Sequence, residues 1–279
     1  MTNGIVPSPQ KRLLLFDGHA LAFHSWFTSY PNEVMSGFFS MVGRAIERHD
    51  PTHLIVTFDP PPPTFRHKMY PDYKANRPPV PEGLLEDCEG VRDRLEELDV
   101  VFCTVEGYEA DDVLGTLSSR ASMSGFQTMI LTSDLDLLQL VSPITEVEVF
   151  SQYWAKRSFD VEAAKRRFGG LAPENIPDYK ALAGDTSDNL PGVPGIGAVA
   201  ATAVLGEYGN LDNVYENLDS ISELPIRGAK RVSRLLAEHR EQAFLMRTLT
   251  TIVCDVPVDV DIDGALIEES GLEAVEAMA

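Results

Sequence analysis

Arg12-Leu13-Leu14-Leu15-Phe16-Asp17-Gly18 decides the reading of this chain. Five residues, four of them apolar, end in an acid and a turn glycine. A short apolar run with no polar alternation reads as a strand covered on both faces, and Asp-Gly stops it. The same design recurs downstream. Thr52-His53-Leu54-Ile55-Val56-Thr57-Phe58 stops at Asp59, where Pro60 to Pro63 forbid continuation. Val100 to Val105 leads to Glu109, Asp111 and Asp112, and Thr128-Met129-Ile130-Leu131 leads through Thr132-Ser133 to Asp134 and Asp136. Glu146 to Phe150 reads as a fifth strand. Helical patterns fall between them, at 21–27, 38–48, 82–98 and 109–120. Strands alternating with helices give a parallel sheet with helices on both faces. Beyond about residue 160 the pattern is all-helical with Gly- and Pro-rich turns. The expected architecture is therefore an α/β parallel-sheet core over residues 1–172, followed by a helical module over 173–279. Residues 1–10 are polar and expected to be loose.

In an open parallel sheet, ligands gather outside the carboxyl ends of the strands. Asp17, Asp59, Glu109, Asp111, Asp112, Asp134 and Asp136 all follow strand ends, so they should converge. Asp185 and Asp188, three residues apart, would share a helical face and approach from the second half. Packed carboxylates repel, so a cation or shared protons must relieve them. Oxygen donors without His or Cys suit Mg²⁺ or Mn²⁺. Two such ions ~3.5–4 Å apart activate a water and stabilise a leaving phosphodiester oxygen. The plainer reading is that each acid caps a helix; repetition at four strand ends favours a metal site for the set.

Residues 66–77, Arg66-His67-Lys68-Met69-Tyr70-Pro71-Asp72-Tyr73-Lys74-Ala75-Asn76-Arg77, mix cations with aromatics just after Asp59. Such a mixture suits phosphates and exposed bases; a solvated loop is the plainer alternative. Lys74 and Arg77 are placed to offset charge developing on a phosphate. Gly192-Val193-Pro194-Gly195-Ile196-Gly197 precedes an Ala-rich helix. Its exposed N–H groups would suit a phosphate, although a simple hairpin turn has the same composition. No strand precedes it, which excludes a dinucleotide fingerprint.

The bulk numbers pull the other way. The 279 residues hold 43 acids and 23 bases, a net charge of −20, against a need for cations in nucleic-acid binding. Charge placement decides, however, and bound cations offset carboxylates. Cys88, Cys103 and Cys254 are three and widely spaced, which suits a reducing compartment and excludes a disulfide framework or zinc motif. No signal peptide or membrane-length apolar run is evident, so a cytoplasmic protein without membrane contact is expected.

Six blocks in order carry a resemblance: Asp17-Gly18; Phe58-Asp59; residues 70–77; Gly107-Tyr108-Glu109-Ala110-Asp111-Asp112; Thr132-Ser133-Asp134-Leu135-Asp136; and residues 184–197 from Gly184-Asp185 to Gly197. Together they resemble the bacterial 5′-nuclease (flap endonuclease) family, and within it the 5′–3′ exonuclease domain of bacterial DNA polymerase I. The likeness covers about residues 12–210 and weakens beyond. It implies a PIN-like nuclease core with a basic arch segment at about 64–98, and a helix–three-turn–helix DNA-binding module. It implies metal-dependent hydrolysis of DNA at 5′ flaps, nicks or ends, by a monomer that works beside a DNA polymerase. By position, Asp17, Asp59, Glu109, Asp111 and Asp112 would serve one metal region, and Asp134, Asp136, Asp185 and Asp188 the other. Lys74 and Arg77 would contact the scissile phosphate, Tyr73 would stack on a base, and Arg66 and Lys68 would bind DNA. The turn with Gly192, Gly195, Ile196 and Gly197 would grip the duplex backbone, with K⁺ as the expected monovalent ion.

Two positions depart from the family pattern. His24 stands seven residues after Asp17, where the family usually has Arg, and Ala198-Val199-Ala200 replaces an acid, a Lys and a Thr. The sequence carries no polymerase region, which leaves a free-standing nuclease and part of a longer chain both open. Two alternatives stand beside the nuclease: a DNA-junction binding protein with weak catalysis, and a PIN-type ribonuclease. For duplex binding, Arg66, Lys68, Lys74, Arg77, Lys156, Arg157, Arg227, Lys230 and Arg231 are expected to form one basic stripe.

Overall fold

A computed structural model describes residues 11–28, 33–151 and 154–267; the expectation for residues 1–10 lies outside them. The sheet has six strands: β1 (Arg12–Asp17), β2 (His53–Thr57), β3 (Val101–Cys103), β4 (Gln127–Thr132), β5 (Thr145–Ser151) and β6 (Trp154–Phe159). Their order is β3-β2-β1-β4-β5-β6. The first five are parallel, and β6 is antiparallel to β5. The chain order reverses between β1 and β4, so a crevice is expected at their carboxyl ends. Pairing of Phe16 with Leu131 brings Asp17 beside Thr132 at that point.

Strand β1 shows how the sheet is buried. Leu13 and Leu15 join one apolar core, and Leu14 and Phe16 join the other. Alternate side chains of one strand face opposite ways, which is why a continuous apolar run was needed. The second core is closed by α1 (Gly18–Thr28), α2 (Val34–His49) and α4 (Leu84–Glu97). A short helix, α3 (Phe65–Met69), lies between α2 and α4 in the chain. The first core is covered by α5 (Ala110–Met123) and by the second half of the chain. That half comprises α6 (Val161–Arg167), α7 (Ile176–Ala183), α8 (Ala198–Tyr208), α9 (Leu211–Glu216), α10 (Ala229–Glu238) and α11 (Arg240–Thr250). The apolar cluster runs without a break from Leu15 on β1 to Leu236 on α10.

Two features differ from the sequence reading. Strand β6 was not anticipated, because Lys156 and Arg157 interrupt its apolar character at a sheet edge. Charge on an edge strand is how sheets avoid further pairing. The chain after α11 is extended, not helical. It returns to the sheet, where Leu54 N–H donates to Ala265 O at 3.0 Å and Ile267 N–H to Thr52 O at 3.1 Å. On the way Arg120 Nη1 donates to Val258 O at 2.8 Å, tying the segment to α5. Among the described residues no helix is long and apolar enough to cross a membrane.

Candidate metal and nucleic-acid site

Asp17, Asp59, Glu109, Asp111 and Asp134 line one cleft of about 640 Å³ at the carboxyl edge of the sheet. Three of them are fixed by helix or turn starts. Asp17 Oδ1 accepts from Ala20 N–H at 3.0 Å, and Oδ2 accepts from Thr132 Oγ1 at 2.9 Å. Asp59 Oδ1 accepts from Ala110 N–H at 2.7 Å and so caps α5 from across the sheet. Asp134 Oδ1 accepts from Asp136 N–H at 2.8 Å, opening the 3₁₀ turn Leu135–Leu140. Capping and cleft-lining are therefore one role for Asp17, Asp59 and Asp134: a helix or turn start satisfies part of each carboxylate and holds it at the cleft wall.

The cleft is electrostatically loaded. Burial first, then Asp59 and to a lesser degree Asp134, push Asp17 up to about 7, against stabilising hydrogen bonds from Ala20 and Thr132. Asp111 is raised well above the usual carboxylate range by burial, Asp134 and Asp17. Both shifts record crowding of like charge in poor solvent. The donor set is carboxylate oxygen, which fits hard divalent cations. Beside the cleft, Asp136, Asp185 and Asp188 each bring an oxygen to within 4.8 Å of the others. There Lys180 bridges Asp136 and Asp185, at 2.6 Å from the latter. Burial alone would raise Asp185, but Lys180 and Ser187 hold it below its ordinary value.

The two carboxylate groups are joined by Tyr73. Its hydroxyl reaches Glu109 Oε2 at 2.8 Å and Asp188 Oδ2 at 3.0 Å, and burial followed by these two charges raises it steeply. Lys74 takes a left-handed backbone conformation (φ 55°) that sends its ammonium to Glu109 Oε1 at 2.7 Å. Burial would depress Lys74, yet Glu109 and Asp188 raise it, so the ammonium stays charged. Glu109 is lowered in turn: Lys74 and Arg66 outweigh its burial. Arg77 Nη2 reaches Asp188 Oδ1 at 2.7 Å.

Four expectations change. Arg66 is not a DNA-facing cation: it is 3% exposed and its guanidinium forks onto Asp112, at 2.7 Å to each oxygen. Asp112 is fully buried in that pair and also accepts from Val253 N–H at 2.9 Å, so it faces away from the cleft. Tyr73 is buried between Glu109 and Asp188, leaving no ring face for a base. Asp134 sits in the cleft with Asp17 and Asp111, whereas sequence position grouped it with Asp136, Asp185 and Asp188. Burial explains the first three: a charged residue inside a fold pairs internally.

The rest of the basic segment is divided. Lys68, Arg77, Arg157, Arg227, Lys230 and Arg231 are exposed, and the Lys156 side chain lies outside the described residues. In the glycine turn, Gly192 (φ 63°) approaches so closely that a Cβ would lie 2.3 Å from Gly184 N. Ile196 is buried and its N–H donates to Val193 O at 3.0 Å, so it shapes the turn. The Arg231 guanidinium lies against Gly195, while Val199 at the start of α8 is exposed. His24 packs edge-on against Phe150. Two cleft residues were not anticipated. His19 accepts the Asp59 N–H on Nδ1 at 2.9 Å, and Arg92 of α4 stacks on Phe58. Helical spacing from Leu85 was the available signal for Arg92.

Known proteins share this organisation. A family model described as 5′-3′ exonuclease, N-terminal resolvase-like domain, matches residues 12–169, and one described as 5′-3′ exonuclease, C-terminal SAM fold, matches 171–271. DNA polymerase I of Chloroflexus aurantiacus is 38% identical, with 95% of this chain and 29% of that protein aligned. DNA polymerase I of Pseudomonas aeruginosa is 39% identical, with 96% and 30% aligned. The chain thus spans under a third of the curated relatives' length. The zinc-bound T5 5′-exonuclease superposes with a TM-score of 0.71 at 22% identity, covering 96% of this chain and 98% of that one. The catalytic core of Rad2 in complex with DNA substrate gives 0.60 at 16%, covering 96% and 86%. At those identities the two structures establish a common fold. The matched models and the polymerase relatives establish the family: this chain belongs to the 5′-3′ exonucleases and carries both their N-terminal and C-terminal domains.

Proposed function

We propose that the chain hydrolyses DNA phosphodiesters at 5′ flaps, nicks or ends, as a metal-dependent 5′–3′ exonuclease and flap endonuclease. The observation that carries this reading is the convergence of five carboxylates from four strand ends with Lys74 and Arg77 in one cleft. Asp17, Asp59, Glu109, Asp111 and Asp134 would hold divalent cations there, Mg²⁺ or Mn²⁺ by donor type. Asp136, Asp185 and Asp188 would hold a further one, with Lys180 as their present counter-charge. In such a site divalent cations activate a water and stabilise charge on the phosphate and leaving oxygens. Support comes from the shared fold, since T5 5′-exonuclease has been solved with divalent metal ions and the Rad2 core with DNA.

Lys74 and Arg77 offset charge on the scissile phosphate, and Tyr73 keeps the two carboxylate groups in register. Glu109 positions Lys74. Gly195 and Gly197, exposed in the turn, offer backbone N–H groups to duplex phosphates, with K⁺ as the ion suited to the turn's carbonyls, while Gly192 is buried and shapes the turn instead of touching DNA; Lys68 adds a separate exposed cation. We place the division between core and DNA-binding module near residue 172, and take a DNA polymerase as the partner, a monomer as the working form and the cytoplasm as its place.

The test is cleavage of 5′-labelled flap DNA with Mg²⁺, Mn²⁺ or EDTA, beside Asp134→Ala. Metal-dependent cutting near the junction, lost in the variant, is the expected result. Equal binding with no cutting by either protein would overturn the reading and favour a junction-binding module.

A further inference from the structure

Helix α4 contributes Leu85, Cys88, Glu89 and Arg92 to the lining of the cleft that holds the carboxylates. Their spacing of three and four residues is that of one helical face. The guanidinium of Arg92 lies 4.6 Å from the centre of the Phe58 ring. Phe58 is itself held edge-on by His19 and Phe102, and it lies so close to Gly18 that a Cβ there would sit 2.5 Å from the ring. The platform under Arg92 is therefore rigid.

The other cations of the cleft are committed. Lys74 is bonded to Glu109 and Arg77 to Asp188. Arg92 differs. Its Nε is buried without a hydrogen-bond partner, and among the described residues it forms no ion pair. Glu89, one turn earlier on the same helix, does not pair with it either. A buried guanidinium donor left unpaired is costly, and a fork of N–H groups held flat on an aromatic face matches a phosphate's oxygens.

We propose that Arg92 binds a backbone phosphate of the DNA strand that passes through this cleft, next to the phosphodiester bound at the cations that Asp17, Asp59 and Asp111 would hold. The proposal rests on the nuclease reading above and adds to it a substrate contact on a helix that lines the same cleft. Such a contact needs no internal ion pair to be broken first, unlike one made by Lys74 or Arg77. Arg92 thereby engages the strand before the reacting phosphate is aligned.

Arg92→Met keeps apolar contact with Phe58 and removes the charge; Arg92→Lys keeps a charge without the fork. Both are compared with wild type for flap-DNA affinity in EDTA, for kcat and KM with Mg²⁺, and for thermal midpoint. The probes are flap DNA and a series carrying one neutral methylphosphonate at successive positions around the junction. For Arg92→Met we expect a loss of affinity of roughly tenfold or more. The slope of log K against log salt should shrink by about 0.7–0.9, with an unchanged thermal midpoint and Arg92→Lys in between. One methylphosphonate position that weakens wild type should no longer weaken Arg92→Met. Variants that bind and cut like wild type would overturn the contact. So would weakened variants that keep the wild-type methylphosphonate pattern, since that marks lost packing alone. A wild type that neither binds nor cuts flap DNA would instead remove the nuclease reading, and the contact with it.

Discussion

Asp17 shows how a single carboxyl couples metal to stability. Its value near 7 in the folded, ion-free protein compares with 3.8 for an ordinary Asp. Between those two values the folded state holds a proton that the unfolded state has lost, so stability falls as pH rises through the interval and stays low above it. Asp17→Asn cannot ionise. In EDTA it should therefore unfold at a higher temperature than wild type at pH 8, with the gap closing towards pH 4. Excess Mg²⁺ should reverse the order, because wild type alone keeps the charged ligand. Thermal melts at several pH values, with and without Mg²⁺, test both halves; a gap that does not vary with pH would refute the assignment. Arg66 is the opposite case. Its charge is matched inside the fold by Asp112 and Glu109. Arg66→Met strands a buried carboxylate, and urea titration should show a loss of about 3–5 kcal/mol. A change below about 1 kcal/mol would mean that Asp112 finds another partner or a proton. Neither residue announces its surroundings in the sequence. An Asp after a strand and an Arg in a basic run look alike whether they face solvent or each other.

At the scale of elements, legibility followed periodicity. Apolar runs stopped by acids located β1, β2 and β4, and the Leu84–Leu95 spacing located α4. What escaped was set by partners distant in the chain. The extended segment after α11 forms because α5 and the first residues of β2, which the short β3 leaves unpaired, offer it hydrogen bonds, through Arg120 and Leu54. Asp134 lines the cleft with Asp17 and Asp111, while Asp136, two residues on in the 3₁₀ turn, lies with Asp185 and Asp188, a divergence that sequence position does not show. The glycine turn was legible as composition, but its demand is specific. At Gly192 the positive φ and the approach to Gly184 N leave no room for a side chain. Because the obstacle is backbone and not a flexible side chain, Gly192→Ala must shift α8 relative to α7. We expect a cost of about 1–3 kcal/mol. Gly206→Ala is the control, since a Cβ there meets nothing within 4 Å, and within α8 it should stabilise by about 0.5–1 kcal/mol. Equal chemical stability of the two variants would show that the turn is less constrained than its geometry indicates.

For the whole molecule, a net charge of −20 stands against binding a polyanion. The fold concentrates part of that charge in one region. At least eight carboxylates are gathered into two adjacent groups, while Lys68, Arg77, Lys230 and Arg231 remain exposed. Divalent cations in those groups would remove the strongest local repulsion without altering those exposed cations. This separates two effects of salt. Added NaCl should weaken DNA binding by counterion competition. Mg²⁺ at the same ionic strength should strengthen it, by offsetting carboxylates beside the strand. Affinity for flap DNA with methylphosphonates at the cleavage position, which the protein cannot cut, can be measured along both series. Wild type should show opposite slopes at low millimolar Mg²⁺. At pH 8 and above, where Asp17 is ionised, Asp17→Asn with Asp111→Asn should bind more tightly than wild type in EDTA and gain less from Mg²⁺. If Mg²⁺ and NaCl weaken wild type alike, the carboxylate groups are not the barrier to the strand. The acidic excess must then be offset elsewhere on the surface.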